Sequence, residues 1–139
     1  MHTRVVGVAI ALAWSAVAQS NMTFKTRLAP VAMDLAMKAN IAGAGTVSAV
    51  LTGTKLAIGG TFDGLRSPAT AAQIHQGSAG GVRGGPILDL TVSKATSGSV
   101  SGSFDLTPDQ IESLKKGKWY IQIDSEKAPQ GNLWGWLMK

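Results

Sequence analysis

The sequence predicts an all-β protein, an antiparallel β-sandwich with one short helix, carried behind an export signal. Three observations lead there. Apolar and polar residues alternate over several short runs, the period of a half-buried strand. Glycine- and threonine-rich turns separate those runs at near-regular spacing, the pattern of sandwiches. A single stretch of the mature chain carries both helix start and helix stop signals.

The first residues read as a processing signal. Arg4 supplies a positive charge, "VVGVAIALAWSAVA" (Val5 to Ala18) is apolar apart from Ser15, and "AVA" is a small-x-small cleavage pattern. The apolar run falls short of the ~20 residues a membrane span needs. Cleavage after Ala18 is expected, leaving 121 of the 139 residues. Residues 1–18 are thus assigned to a signal peptide, 19–45 to an N-terminal segment or leading strand, and 46–139 to the sandwich domain. Destination in the periplasm or outside the cell follows from the signal.

Gln19 to Pro30 reads as a tail or leading strand, and "NMT" (Asn21 to Thr23) matches a glycosylation acceptor. "TVSAVLTG" places Val47, Ala49 and Leu51 on one face. "LAIGGTFDGL" alternates less cleanly, and its glycine pair predicts a bulge. "ATAAQIHQG" follows Pro68, with Ile74 as core and Gln73 and His75 pointing outward. "GSAGGVRGG" lacks the ending of a phosphate loop and reads as a flexible turn. "GPILDLTVSK" sets Leu88, Leu90 and Val92 against Ile87, Asp89, Thr91 and Ser93. "GSVSGSFDL" sets Val100, Gly102, Phe104 and Leu106 against serines and Asp105.

The helix is "LTPDQIESLKKG". Thr107 is its N-cap and Pro108 its first residue. Asp109 and Glu112 lie towards the positive end, Lys115 and Lys116 lie at the negative end, and Gly117 stops it. Two strands follow, "KWYIQIDS" and "NLWGWLM". Strand parity puts Trp119, Ile121 and Ile123 in the core and Tyr120, Gln122 and Asp124 outside. Leu133 and Leu137 claim the core face of the last strand, so Trp134, Trp136 and Met138 share the other face with Asn132. Tyr120, Trp134 and Trp136 are therefore expected on one at least partly exposed surface. Two alternatives stay open: the tryptophans fill the core, or the N-terminal segment folds over them.

The formal net charge is +5, with 13 Lys and Arg against 8 Asp and Glu, and there is no cysteine. Scattered basic residues, clustered only in "KKGK" (Lys115 to Lys118), argue against a nucleic-acid stripe. Lack of cysteine excludes thiolate metal sites, thiol nucleophiles and a lipoprotein anchor. His75 is the only histidine after the leader. A metal site wants three or four convergent ligands, so none is expected. No Ser-His-Asp or Cys-His set is readable, and Asp63, Asp89 and Asp124 have no spacing that singles them out as an acid-base pair.

"AAQIHQGSAGGVRGGPILDL" followed by "LTPDQIESLKKGKWYIQIDSEKAPQGNLWGWLM" resembles the CHRD domain, first named in chordin and common in exported bacterial proteins. The resemblance runs from about Thr46 to Met138. It implies a Greek-key sandwich of immunoglobulin-like or superoxide-dismutase-like type, and no catalytic activity is established for the family as such. Against the family pattern, Gln73 replaces a first histidine, His75 keeps the second, and Asp124 stands at a third. Gln73, His75 and Asp124 are the family-motif polar face. The family's outward Arg and Gln fall at Trp134 and Trp136, so a polar face has become aromatic.

The expected function is a non-enzymatic, cofactor-free binding or adaptor module. Tyr120, Trp134 and Trp136 would contact an exported protein or glycan, with no nucleic acid and no membrane span. Two alternatives are a periplasmic metal-handling protein using His75 and Asp124, and an accessory subunit of a sugar-oxidising quinoprotein dehydrogenase. The second rests on the resemblance of "SEKAPQGNLWGW" to small exported CHRD proteins that accompany such enzymes.

Overall fold

A computed structural model describes residues 21–32, 34–78 and 81–139. The leader and its cleavage site lie outside the described residues. Eight strands alternate along the chain: β1 (Asn21–Leu28), β2 (Ala44–Thr52), β3 (Lys55–Asp63), β4 (Ala69–Gln76), β5 (Gly85–Val92), β6 (Gly98–Asp105), β7 (Trp119–Ser125) and β8 (Leu133–Trp136). A four-residue helical turn, α1 (Leu35–Lys38), follows β1, and the helix α2 (Pro108–Lys115) precedes β7. No helix among the described residues is long and apolar enough to cross a membrane.

The all-β antiparallel prediction holds, with one difference in how the layers are joined. All strands lie in one sheet of order β1-β2-β3-β6-β5-β4-β7-β8. The meander β4-β5-β6 has β3 beside β6 and β7 beside β4, which makes two overlapping Greek keys. The sheet then curls until β1 meets β8 at two bridges, Lys25 with Met138 and Ala29 with Trp134. Both bridges carry reciprocal backbone hydrogen bonds of 2.8 to 3.2 Å. Near-closure leaves little unpaired strand edge on this side of the molecule.

Alternation produces the core as expected. Val47, Ala49, Leu51, Ile74, Leu90, Val100, Trp119, Ile121, Ile123, Leu133 and Leu137 all point inward and are buried. Leu106 and Leu114 close one end. The Thr107 hydroxyl accepts the Gln110 N–H at 3.2 Å, and the Gln110 side chain accepts the Thr107 N–H at 2.9 Å, completing a capping box that starts α2 where expected. α1 was not anticipated: Asp34 caps it by accepting the Met37 N–H at 2.9 Å, but four residues carry no readable periodicity.

The bulge expected at the glycine pair of β3 is absent, since β3 pairs without a break on both sides. Gly60 instead lets two strands approach, because a Cβ there would collide with the Thr46 carbonyl and Val47. The register shifts fall in β4, between Ile74 and His75 on its β5 side and between Ala69 and Ala71 on its β7 side.

Candidate functional site

The candidate site is the outer face of β4, β7 and β8. Register sets its side chains in cross-strand rows. One row is Gln73, Gln122 and Trp134, with Asp89 of β5 opposite Gln73. The next is His75, Tyr120 and Trp136. Asp124 lies opposite Ala71 one step further. Tyr120, Trp134 and Trp136 thus share one face, and Gln73, His75 and Asp124 share it with them, as parity predicts.

The expected exposure of Tyr120 and Trp134 is corrected. Tyr120 is 2% exposed and Trp134 5%, whereas Trp136 is half-buried. His75, expected to point into solvent, is 7% exposed. The cause is a second apolar layer. After β1 the chain runs across this face, and Ile41 and Met37 pack with Tyr120, Trp134, Ala128 and Trp136 in a cluster separate from the main core. Asn132 anchors that crossing. It is wholly buried, its Oδ1 accepts the Ala42 N–H at 3.1 Å, and its amide donates to the Ser125 hydroxyl at 2.9 Å. The alternative in which the N-terminal segment folds over the tryptophans therefore describes Trp134.

A second cover comes from the glycine-rich loop after β4. The Tyr120 hydroxyl donates to the Gly84 carbonyl at 2.8 Å and accepts the Gly84 N–H at 3.1 Å. His75 Nδ1 lies 3.0 Å from the same carbonyl, to which it donates when it carries the proton, and 3.3 Å from the Tyr120 hydroxyl. His75 Nε2 lies 3.2 Å from the Gln73 side-chain oxygen. The rings of His75 and Tyr120 stack at 5.0 Å, and Trp136 tilts against Tyr120 at 4.6 Å. The Arg83 guanidinium sits 4.3 Å over the Trp134 ring. The loop read as a flexible turn is thus held at both Arg83 and Gly84.

What stays accessible is a strip of half-buried groups: Gln73, Gln122, Asp124 and Trp136. Gln122 is fixed from three sides. Its amide donates to Asp124 at 2.8 Å and to the Gln130 carbonyl at 3.3 Å, and its oxygen accepts the Trp134 indole N–H at 3.0 Å. Burial pushes the Asp124 carboxyl above the ordinary carboxylate value, against the opposing pull of the Gln122 hydrogen bond and the His75 charge. Gln73 reaches towards Asp89 at 3.5 Å.

These residues do not fit a metal. Both ring nitrogens of His75 already face polar partners, and Gln73 stands where a second imidazole would be needed. Among the described residues no three His, Cys, Asp or Glu side chains gather.

Sequence reasoning missed Arg83, Ile41 and Met37, which come from segments with no strand pattern. The only local signal was position, since the Arg83 loop leaves directly from the strand that carries His75.

The family model for the CHRD domain matches residues 19–137, so the match takes in β1 as well as the later strands. Neither the curated proteins nor the solved structures give a match.

Proposed function

Since the chain belongs to the CHRD domain family, we propose that it is an exported, non-catalytic contact module that holds a protein or carbohydrate partner on the outer face of β4, β7 and β8. One observation carries this reading. A half-buried aromatic, Trp136, lies beside half-buried amides at Gln73 and Gln122, and all three rest on side chains that are already fixed. Groups held in place before binding lose little side-chain freedom on binding. An aromatic face flanked by oriented amides and a carboxylate suits polar, ring-bearing or peptide partners. Tyr120 and Trp134 support this strip rather than touch the partner, so the contact role moves to Trp136.

The absence of an activity is part of the proposal. His75 is enclosed and turned towards Gly84 and Gln73, so it is not placed to take a proton from a substrate. The metal-handling alternative finds both ring nitrogens of His75 turned towards protein oxygens rather than towards an open site. No observation favours the dehydrogenase accessory role over any other partner.

The test uses mature protein as bait against exported proteins and arrayed glycans, with wild type, Trp136→Ala and Gln73→Ala compared. Trp136→Ala should weaken capture by about 2 kcal/mol, the scale of a hot spot, while its melting temperature falls by less than that of Trp134→Ala and the variant stays folded under the conditions of the assay. Capture unchanged in both variants would end the reading. Export is tested separately: N-terminal sequencing of the exported protein should begin at Gln19.

A further inference from the structure

Away from the strip, a second surface stands at the end of the sheet closed by α2. A groove of about 230 Å³ opens there, lined by Phe24, Leu114, Leu137 and Met138 and by Lys115, Lys116 and Lys139. Its floor is apolar: Phe24, Leu114 and Leu137 are buried to within 1%. Met138 is 56% exposed, a large apolar side chain left at the mouth. Two more lysines belong to the same end. Lys25 is paired through its backbone with Met138, and Lys118 precedes Trp119, whose carbonyl accepts the Leu137 N–H.

Three of the chain's lysines therefore line one apolar groove, and Lys25 and Lys118 flank it by register and sequence. Helix electrostatics explains two of them, since Lys115 and Lys116 complement the negative end of α2. It does not explain Lys25 on β1, Lys118 just before β7 or Lys139 beyond β8. Among the described residues, Glu112 is the only acidic side chain in ion-pair contact with any of the five, lying 3.5 Å from Lys116 with both groups mostly exposed. Like charges brought together from separate elements repel, so the arrangement favours an anionic occupant. Met138, exposed at the mouth, adds an apolar contact that a purely ionic occupant would leave unused. A free phosphate gains nothing from the exposed Met138, whereas a lipid offers an anionic head and an apolar body together.

We infer that this lysine-lined groove docks the protein on the surface of a membrane containing anionic phospholipid, with Met138 entering the interface. The contact is peripheral and reversible. It holds the strip around Trp136 near a membrane without occupying it.

The experiment is co-sedimentation of the mature protein with phosphatidylcholine vesicles, with and without phosphatidylglycerol. Expected is binding only when phosphatidylglycerol is present, weakened by added salt. The double variant Lys115→Gln/Lys118→Gln should bind about thirtyfold more weakly, the factor for removing two lysines worth roughly 1 kcal/mol each at an anionic surface. Met138→Gln should weaken binding severalfold without changing its salt dependence. The substituted side chains lie outside the core, and a circular dichroism melt confirms the fold of each. Equal binding to both vesicles, no binding to either, or full binding by the double variant would overturn the inference. So would competition by polyglutamate as effective as that by the vesicles, which would assign the surface to an acidic polypeptide.

Discussion

Trp134→Ala tests whether the second apolar layer is part of the fold. The indole is 5% exposed and packs in a cluster with Ile41, Tyr120 and Ala128. Truncation removes on the order of 150 Å² of buried apolar area, worth about 4 kcal/mol at 25 cal/mol per Å² as an upper bound. The indole hydrogen bond to Gln122 adds roughly 0.5–1 kcal/mol, because half-buried Gln122 turns to water when the partner is lost. The exposed Arg83 guanidinium over the ring adds about 0.5 kcal/mol. Relaxation of the covering segment returns part of this sum, so the net loss should be about 3–5 kcal/mol. Urea unfolding followed by far-ultraviolet circular dichroism measures it, and at constant slope the midpoint shift reads the loss directly. The melting temperature should fall by more than about 10 °C. Trp136→Ala, with its ring half-exposed, should lose about 1–2 kcal/mol by the same area argument. A Trp134→Ala loss below about 1 kcal/mol, or one smaller than that of Trp136→Ala, would refute the covered-face reasoning.

Asn132→Ala should cost about 2–3 kcal/mol, since it strips a partner from the Ala42 N–H and from the buried Ser125 hydroxyl; hydrogen exchange should then quicken at Ile41 and Ala42 more than in β7. Gly135→Ala should cost about 1–3 kcal/mol by overpacking, because a Cβ there collides with the Thr26 hydroxyl and the Arg27 carbonyl where β1 meets β8; calorimetry reads the loss. The Asp124 carboxyl has its folded pKa raised above the ordinary value of 3.8 by burial, so its favourable contribution is present below 3.8 and is lost as pH rises through the folded value. Asp124→Asn should therefore melt slightly higher than wild type at neutral pH, with the difference fading in acid; a variant less stable at neutral pH would contradict the burial cause. Protein purified without chelator should carry no stoichiometric copper or zinc, checked by elemental analysis, and a chelator-resistant ion lost in His75→Ala would count against that expectation.

Strand parity was legible in the sequence because it is a local property. Successive side chains on an extended backbone must alternate, so Trp119, Ile121, Ile123, Leu133 and Leu137 declared the core, and Tyr120, Trp134 and Trp136 the opposite face. The cap, first residue and stop of α2 were equally local. Gly135 between the tryptophans has a steric cause the strand pattern could not give: β1 passes too close for a side chain. Tertiary structure alone decided what lies on top of the outer face. Asn132 reaches Ala42 across 90 positions, Arg83 reaches Trp134 from a glycine-rich loop, and β1 meets β8 across nearly the whole chain. Such contacts leave no period in the sequence, because covering residues need only size and reach, and their loops follow no repeating geometry. Alternation says which way a side chain points; whether it meets water depends on chain that arrives from elsewhere, and that is why Trp134 is buried and Trp136 is not.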